Sequence, residues 1–166
     1  LAHPLGNFTI NRYAGIEPSP DNIKIRYALD LAEIPAFTER PIIDRDGDGL
    51  VSEVEADRYR QEKSEVLSKS LYLNIDGSRI YLAVESHELT FTPGPGGLNT
   101  MRLAIDFTAR VPASVKSGGY SLEYEDKNFP KKISWKELVI LPTDGLRLRN
   151  STVPNAGISK ELTEYP

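Results

Sequence analysis

A chain of 166 residues with 39% hydrophobic and 27% charged residues is sized for one globular domain with a real core, and is short for two. No apolar run reaches the ~20 residues that span a bilayer. The net charge of -4, with basic residues scattered, gives no footprint for nucleic acid, and the lack of cysteine removes disulfides, thiol catalysis and cysteine-based zinc sites.

The chain opens Leu1-Ala2-His3-Pro4. A small residue before a polar start is what signal-peptidase cleavage after Ala2 would leave, so export is expected. His3 would then carry a free amine beside its imidazole, a pair suited to nickel or copper, and is a candidate transition-metal ligand. Otherwise it is an ordinary terminal residue.

Strict alternation follows. Phe8–Gly15 and Ile23–Leu31 flank the turn-rich Glu17-Pro18-Ser19-Pro20-Asp21-Asn22. In the second of these segments Ile23, Ile25, Tyr27, Leu29 and Leu31 share one face, with Lys24, Arg26 and Asp30 on the other. Met101, Leu103, Ile105, Phe107 and Val111 repeat the pattern further on. Period two with one wet face predicts antiparallel strands with one side in a core. Leu71–Ile75 and Ile80–Val84 flank Asp76-Gly77, a dipeptide suited to the positive φ angles of a tight hairpin. Tyr120–Tyr124 and Ile133–Ile140 flank 126–132, and a bulge near Lys136-Glu137 is expected to reconcile the two parities of the last strand.

Seven or eight short strands with such turns predict an antiparallel β-sandwich of immunoglobulin-like type over 1–150. Pro93–Gly97 is a loop within it. Residues 151–166 lack the pattern and are read as a C-terminal tail or linker.

One stretch, about 34–70, interrupts the strands. Val54 to about Ser70 is rich in helix formers, free of Gly and Pro, and carries only a narrow apolar stripe, so it is expected to be an inserted surface helix. Just before it stands Asp44-Arg45-Asp46-Gly47-Asp48-Gly49-Leu50-Val51-Ser52-Glu53-Val54-Glu55. Calcium takes about six to eight oxygens, and a twelve-residue EF-hand-type loop supplies them from alternate positions as it wraps the ion. Asp44, Asp46 and Asp48 fall at positions one, three and five. Leu50 offers its carbonyl at seven, Ser52 binds directly or through water at nine, and Glu55 closes the set at twelve with both oxygens. Gly49 permits the sharp turn at position six, and Val51 is the apolar residue that faces the core. The competing reading is an acidic, glycine-rich surface turn, which does not require Gly49, Val51 and Glu55 to fall in register. The segment leading in, 34–41, is expected to hold at most a turn or two of helix before Pro41 halts it. With no second loop to pair with, the ion is expected to be structural, a brace and not a switch.

Other chemistry is sparse. His87, in Glu85-Ser86-His87-Glu88, has no paired ligand spacing and is expected to be a polar residue at a strand end. Glu123 and Glu125 are expected to be solvated strand charges. Trp135, with Tyr120, Tyr124 and Phe129, suits either a core or an aromatic surface for a glycan or peptide, and the core is the commoner use. No nucleophile elbow, zinc-binding helix or phosphate loop is present, so the chain is expected not to be an enzyme.

His3-Pro4-Leu5-Gly6-Asn7-Phe8-Thr9-Ile10-Asn11, then Asp30-Leu31-Ala32-Glu33-Ile34-Pro35, the acidic loop, Asn128-Phe129-Pro130 and Ser134-Trp135-Lys136-Glu137 occur in that order. Together they resemble the extracytoplasmic N-terminal region of bacterial membrane proteins described as high-affinity nickel/cobalt transporters. The resemblance runs nearly to Tyr165-Pro166. It implies an exported, membrane-tethered domain whose partner is a multi-helix membrane domain of the same polypeptide. The family's transport histidines belong to that membrane domain, so none is carried over. The resulting expectation is a non-enzymatic, calcium-binding ectodomain. The alternative is a module binding a glycan, peptide or transition metal through an aromatic surface or His3.

Overall fold

A computed structural model describes residues 6–115, 118–132 and 134–165. His3 and the expected cleavage point after Ala2 lie outside the described residues.

The alternating segments form strands as expected. β1 (Ile10–Pro18) and β2 (Asn22–Leu31) pair antiparallel from Ile10 opposite Leu31 to Pro18 opposite Ile23. Their turn is closed by Ser19, whose hydroxyl donates to the Asn22 carbonyl at 2.8 Å and accepts from the Asn22 amide at 3.1 Å. Two helices follow, α1 (Glu33–Ile43) and α2 (Glu53–Lys69). β3 (Leu71–Ile75) then turns through Asp76 and Gly77, at φ 48° and 76°, into β4 (Ser78–Ile80). β5 (Ala83–Pro93) and β6 (Asn99–Arg110) form the next antiparallel pair, followed by β7 (Leu122–Asp126) and β8 (Lys136–Ile140).

The strands divide into two sheets, one ordered β5-β6-β2-β1-β8 and a smaller one ordered β4-β3-β7. The protein is mostly β with two layers, in keeping with a sandwich. It is not wholly antiparallel. β8 runs parallel to β1, and β7 and β8, which flank a common turn in sequence, belong to different sheets. The register from Arg12–Lys136 to Ile16–Ile140 is unbroken. The parity change near Lys136 is therefore where the strand starts, and no bulge is needed. Trp135 stands just outside the strand, its amide donating to Asn11 Oδ1 at 2.9 Å and its carbonyl accepting from the Arg12 amide at 2.9 Å.

β5 is the strand whose extent the sequence pattern hid. Ile80–Val84 is not one strand, because β4 ends at Ile80 and β5 starts at Ala83. Half-buried His87, Leu89 and Phe91 alternate in β5 with exposed polar residues, so its hydrophobic signal is weak. The β-bulge lies here, between Val84 and Ser86.

The core lies between the layers. Ile23, Ile25, Tyr27, Leu29 and Leu31 of β2 and Met101–Phe107 of β6 meet Leu71, Leu73 and Ile75 of the small sheet, with Ala36, Ile43, Tyr59 and Leu67 from the helices. At about 1.5–3 kcal/mol per fully buried large apolar side chain, this cluster is the main favourable contribution to the fold. One cation shares the core face. Arg12 is 2% exposed, lies 3.3 Å from Asp126, donates to the Asn128 carbonyl and stacks 5.7 Å from the Phe129 ring centroid. Tyr27 donates to the same Asp126 at 3.1 Å. This ties β1 and β2 to the end of β7, where the chain crosses between sheets through Phe129 at φ 50°.

The opposite face of the large sheet is also covered in part. Residues 151–165, expected as a tail or linker, run back across it. Leu162 packs with Tyr13, Ala28 and Val139, and Ser159 is fully buried.

Candidate metal centre

The acidic segment joins α1 to α2, so the site is helix–loop–helix. α1 is longer than Pro41 suggested, running three turns through that residue to Ile43. Pro41 lacks only the one amide that would reach back to Phe37, and Pro35 sits in the first turn, where amides have no helical partner anyway. The loss is offset because Ala36 and Ile43 are buried in the core. α2 starts where the loop ends. Ser52 is its N-cap, accepting from the Glu55 amide at 3.3 Å, while the Glu55 carboxylate accepts from the Ser52 amide at 3.0 Å: a reciprocal capping box.

The helices are pinned to each other. Glu39 of α1 accepts from Tyr59 Oη and from Lys63 Nζ, both of α2 and both at 2.7 Å. Arg58 reaches across to the last carbonyls of α1, 2.9 Å from Ile43 O and 3.3 Å from Ile42 O. These carbonyls have no partner inside their own helix.

Inside the loop the carboxylates organise the backbone. Asp44 accepts from Gly47 N at 2.8 Å and Gly49 N at 3.0 Å. Asp46 accepts from Asp48 N at 3.2 Å, and Asp48 from Leu50 N at 2.7 Å. Gly47 and Gly49 hold φ 72° and 84°, the left-handed region that favours glycine. The result is that Asp44, Asp46 and Asp48 each bring a carboxylate oxygen within 4.8 Å of the others. Among the described residues this is the one such group of three or more metal-ligating side chains. Three hard, anionic oxygens at that spacing suit a hard divalent cation and repel one another without one.

The other expected ligands are placed nearby but differently. Leu50 exposes its side chain, and Val51 packs against the core as expected. Glu55, 7% exposed, turns its carboxylate to the loop's main chain, accepting from Arg45 N at 2.8 Å and Asp46 N at 3.5 Å. The Ser52 hydroxyl donates to the same carboxylate at 2.8 Å. The Ser52 amide, then its hydroxyl, then the Arg45 and Asp46 amides hold the Glu55 carboxyl down at about 2, against the opposing effect of burial. Glu55 is thus anionic and fixed against the loop while standing apart from the aspartate trio.

Sequence reasoning missed the supporting cations. Arg40 donates to Gly49 O, and Arg45 pairs with Glu62 at 3.0 Å, reaching along α2. Neither follows a motif. Only the folding-back of α1 on α2 brings them into range.

The remaining candidates do not converge. His87 is within β5 and not at a strand end, with Nε2 3.9 Å from Asp57. Tyr120 donates to Ser19 O at 3.0 Å, Tyr124 is so buried that its phenol is pushed well up, and Phe129 packs on the core. Trp135 belongs to the small cluster beneath Leu162, with its indole nitrogen buried. These four do not make an exposed aromatic face. Glu123 accepts from Asn74 at 3.3 Å and Glu125 pairs with Lys127 at 3.2 Å, as strand-surface charges do.

No family model, curated protein or solved structure matches the chain.

Proposed function

We propose that the loop Asp44–Glu55 is an EF-hand-type site for calcium, and that the ion braces α1 and α2 over the core of a non-enzymatic extracytoplasmic domain. The observation that carries this reading is the aspartate trio, three carboxylate oxygens within 4.8 Å between two helices, with Gly49 in the left-handed turn at position six. Asp44, Asp46, Asp48, the Leu50 carbonyl, Ser52 and Glu55 would hold the ion. Calcium supplies charge that offsets the mutual repulsion of the carboxylates. Glu55, whose oxygens here accept from the Arg45, Asp46 and Ser52 amides, would turn to the ion on binding, and a bidentate role there would favour calcium over magnesium, which keeps a smaller octahedral shell.

A brace fits better than a switch. A sensor hand opens its helix pair to expose a groove, whereas Glu39, Tyr59, Lys63 and Arg58 tie these two helices together. The membrane setting rests on the resemblance to nickel/cobalt transporters. It is checked by reading the coding sequence beyond Pro166, where hydrophobic spans support it and a stop codon refutes it.

Melting in calcium and in chelator tests the site. An ion present at 100 times its dissociation constant stabilises by roughly 2.7 kcal/mol, a shift of several degrees. Asp44→Asn/Asp48→Asn should lose that shift and the calcium heat in calorimetry. An unchanged melting curve together with no heat in the native chain overturns the reading.

A further inference from the structure

β5 is an edge of the large sheet, and among the described residues its main chain hydrogen-bonds to β6 alone. Its eleven residues leave the other row of amides and carbonyls without a main-chain partner among the described residues. An unpaired edge of this kind is a template for a further strand. Beside it runs α2, and between the two lies a pocket of about 330 Å³ lined by Gln61, Glu65, Val84, Glu85, Ser86 and His87.

The chemistry of that groove has one sign. Two of its lining residues are carboxylates and none is Lys or Arg, while Asp57 of α2, 3.9 Å from His87 Nε2, is already paired with Arg60 at 3.2 Å. The bulge leaves Glu85 without a partner on β6, since Val84 faces Phe107 and Ser86 faces Asp106. His87 Nδ1 is buried with no hydrogen-bond partner, an unmet polar atom at the pocket wall. Bulges, edge charges and a terminal proline such as Pro93 also keep like edges from pairing with one another. Of these devices the carboxylates alone select by charge, repelling an acidic strand and complementing a basic one.

We infer that β5 accepts an extended basic segment of another protein as an added antiparallel or parallel strand, with a Lys or Arg side chain seated between Glu65, Glu85 and His87. Main-chain hydrogen bonds to β5 would supply affinity, and the acidic pocket would select every second residue, because alternate side chains of a strand share a face. The inference does not depend on calcium at the loop.

The probe is a labelled heptapeptide alternating lysine with valine, read by fluorescence anisotropy against the whole chain. Three further peptides accompany it: two N-methylated on alternate amides, one in each register, and one with glutamate in place of lysine. The basic peptide is expected to bind at about 100 µM or tighter. The Glu65→Lys/Glu85→Lys variant should weaken it by about tenfold or more, while Glu123→Lys on the small sheet, with the same type of charge change, should leave it nearly unaltered. N-methylation in the register facing β5 should abolish binding, and the glutamate peptide should not bind. Absence of binding at millimolar peptide, equal binding by both N-methylated forms, or equal weakening by Glu123→Lys would each overturn the inference. A concentration-dependent dimer dissolved by Glu85→Lys would also overturn it, assigning the edge to a second copy of the chain.

Discussion

The acidic loop and the C-terminal segment are both irregular, polar and charged, yet they are held by opposite kinds of contact. In the loop every carboxylate bond to the main chain is short in sequence, the longest joining Glu55 to Arg45 across ten positions. In the segment 151–165 the defining contacts reach 21 positions or more, and those to β1 and β2 span more than a hundred. Tyr165 donates to Asp30 and accepts from Asn11 at 2.9 Å, Glu161 lies 3.5 Å from Arg26, and Glu137 accepts from the amides of Ile158 at 2.5 Å and Ser159 at 3.2 Å. Lys160, Glu161 and Leu162 all adopt positive φ, at 44°, 60° and 66°. Left-handed backbone costs roughly 1–2 kcal/mol per non-glycine residue, so the contacts beneath must offset several kcal/mol for the turn to persist. The loop takes its shape from residues it contains. The C-terminal segment takes its shape from the sheet it lies on.

Mutations separate the two cases, and the largest expected effect is in the C-terminal segment. Leu162→Ala removes the side chain that packs on Tyr13, Ala28 and Val139, and should destabilise by about 2–4 kcal/mol. Urea unfolding measures this, and the loss should be the same with calcium or chelator. A loss below about 0.5 kcal/mol, the range of ordinary surface substitutions, would mean that the segment contributes no packing and that the contrast is false.

A smaller effect is expected at the start of α2. Ser52→Ala deletes the N-cap and half of the capping box, a cost of about 1 kcal/mol. Because Ser52 is also a proposed ligand, the cost should grow when calcium is present. A cost that is identical in calcium and chelator would remove Ser52 from the metal site while leaving its capping role intact.

The change expected to be least visible at neutral pH concerns Glu55. Its carboxyl titrates at about 2 in the folded chain against an ordinary value of 4.5. A depressed carboxyl contributes stability that is fully present above pH 4.5 and is lost as pH falls from 4.5 toward 2. In chelator, the unfolding midpoint of the native chain should therefore drop more steeply across that window than that of Glu55→Gln. Parallel acid limbs would show that the bonds from Ser52, Arg45 and Asp46 do not favour the charged form.

Legibility follows the same division. The hairpin β1–β2, strand β6, the Asp76-Gly77 turn and helix α2 were all readable, since each rests on a local period, a turn dipeptide or helix-forming composition. The clustering of Asp44, Asp46 and Asp48 was readable too, because alternate positions of a tight glycine-bearing turn bring their carboxylates together. The turn of Glu55 toward the main chain was not, since the capping box and the ligand role call on the same carboxylate. α1 was underestimated because a proline rule about one missing amide was weighed without Ala36 and Ile43, whose burial outweighs it. β5 was obscured because its inner face is only half-buried and includes His87, and the bulge between Val84 and Ser86 shifts the alternation.

By itself, then, the chain determined its strands apart from β5, the helix α2 and the acidic loop, since these depend on side-chain periodicity and spacing within about a dozen residues. The tertiary structure alone decided that β7 and β8 part into different sheets, that β8 lies parallel to β1, and that residues 151–165 close over the outer face. It also decided that Arg12, polar by composition, sits 2% exposed beside Asp126. Each of those outcomes depends on which distant surface a segment meets. The free energy that selects among them comes from burial and ion pairing between residues far apart in sequence, so no local pattern carries it.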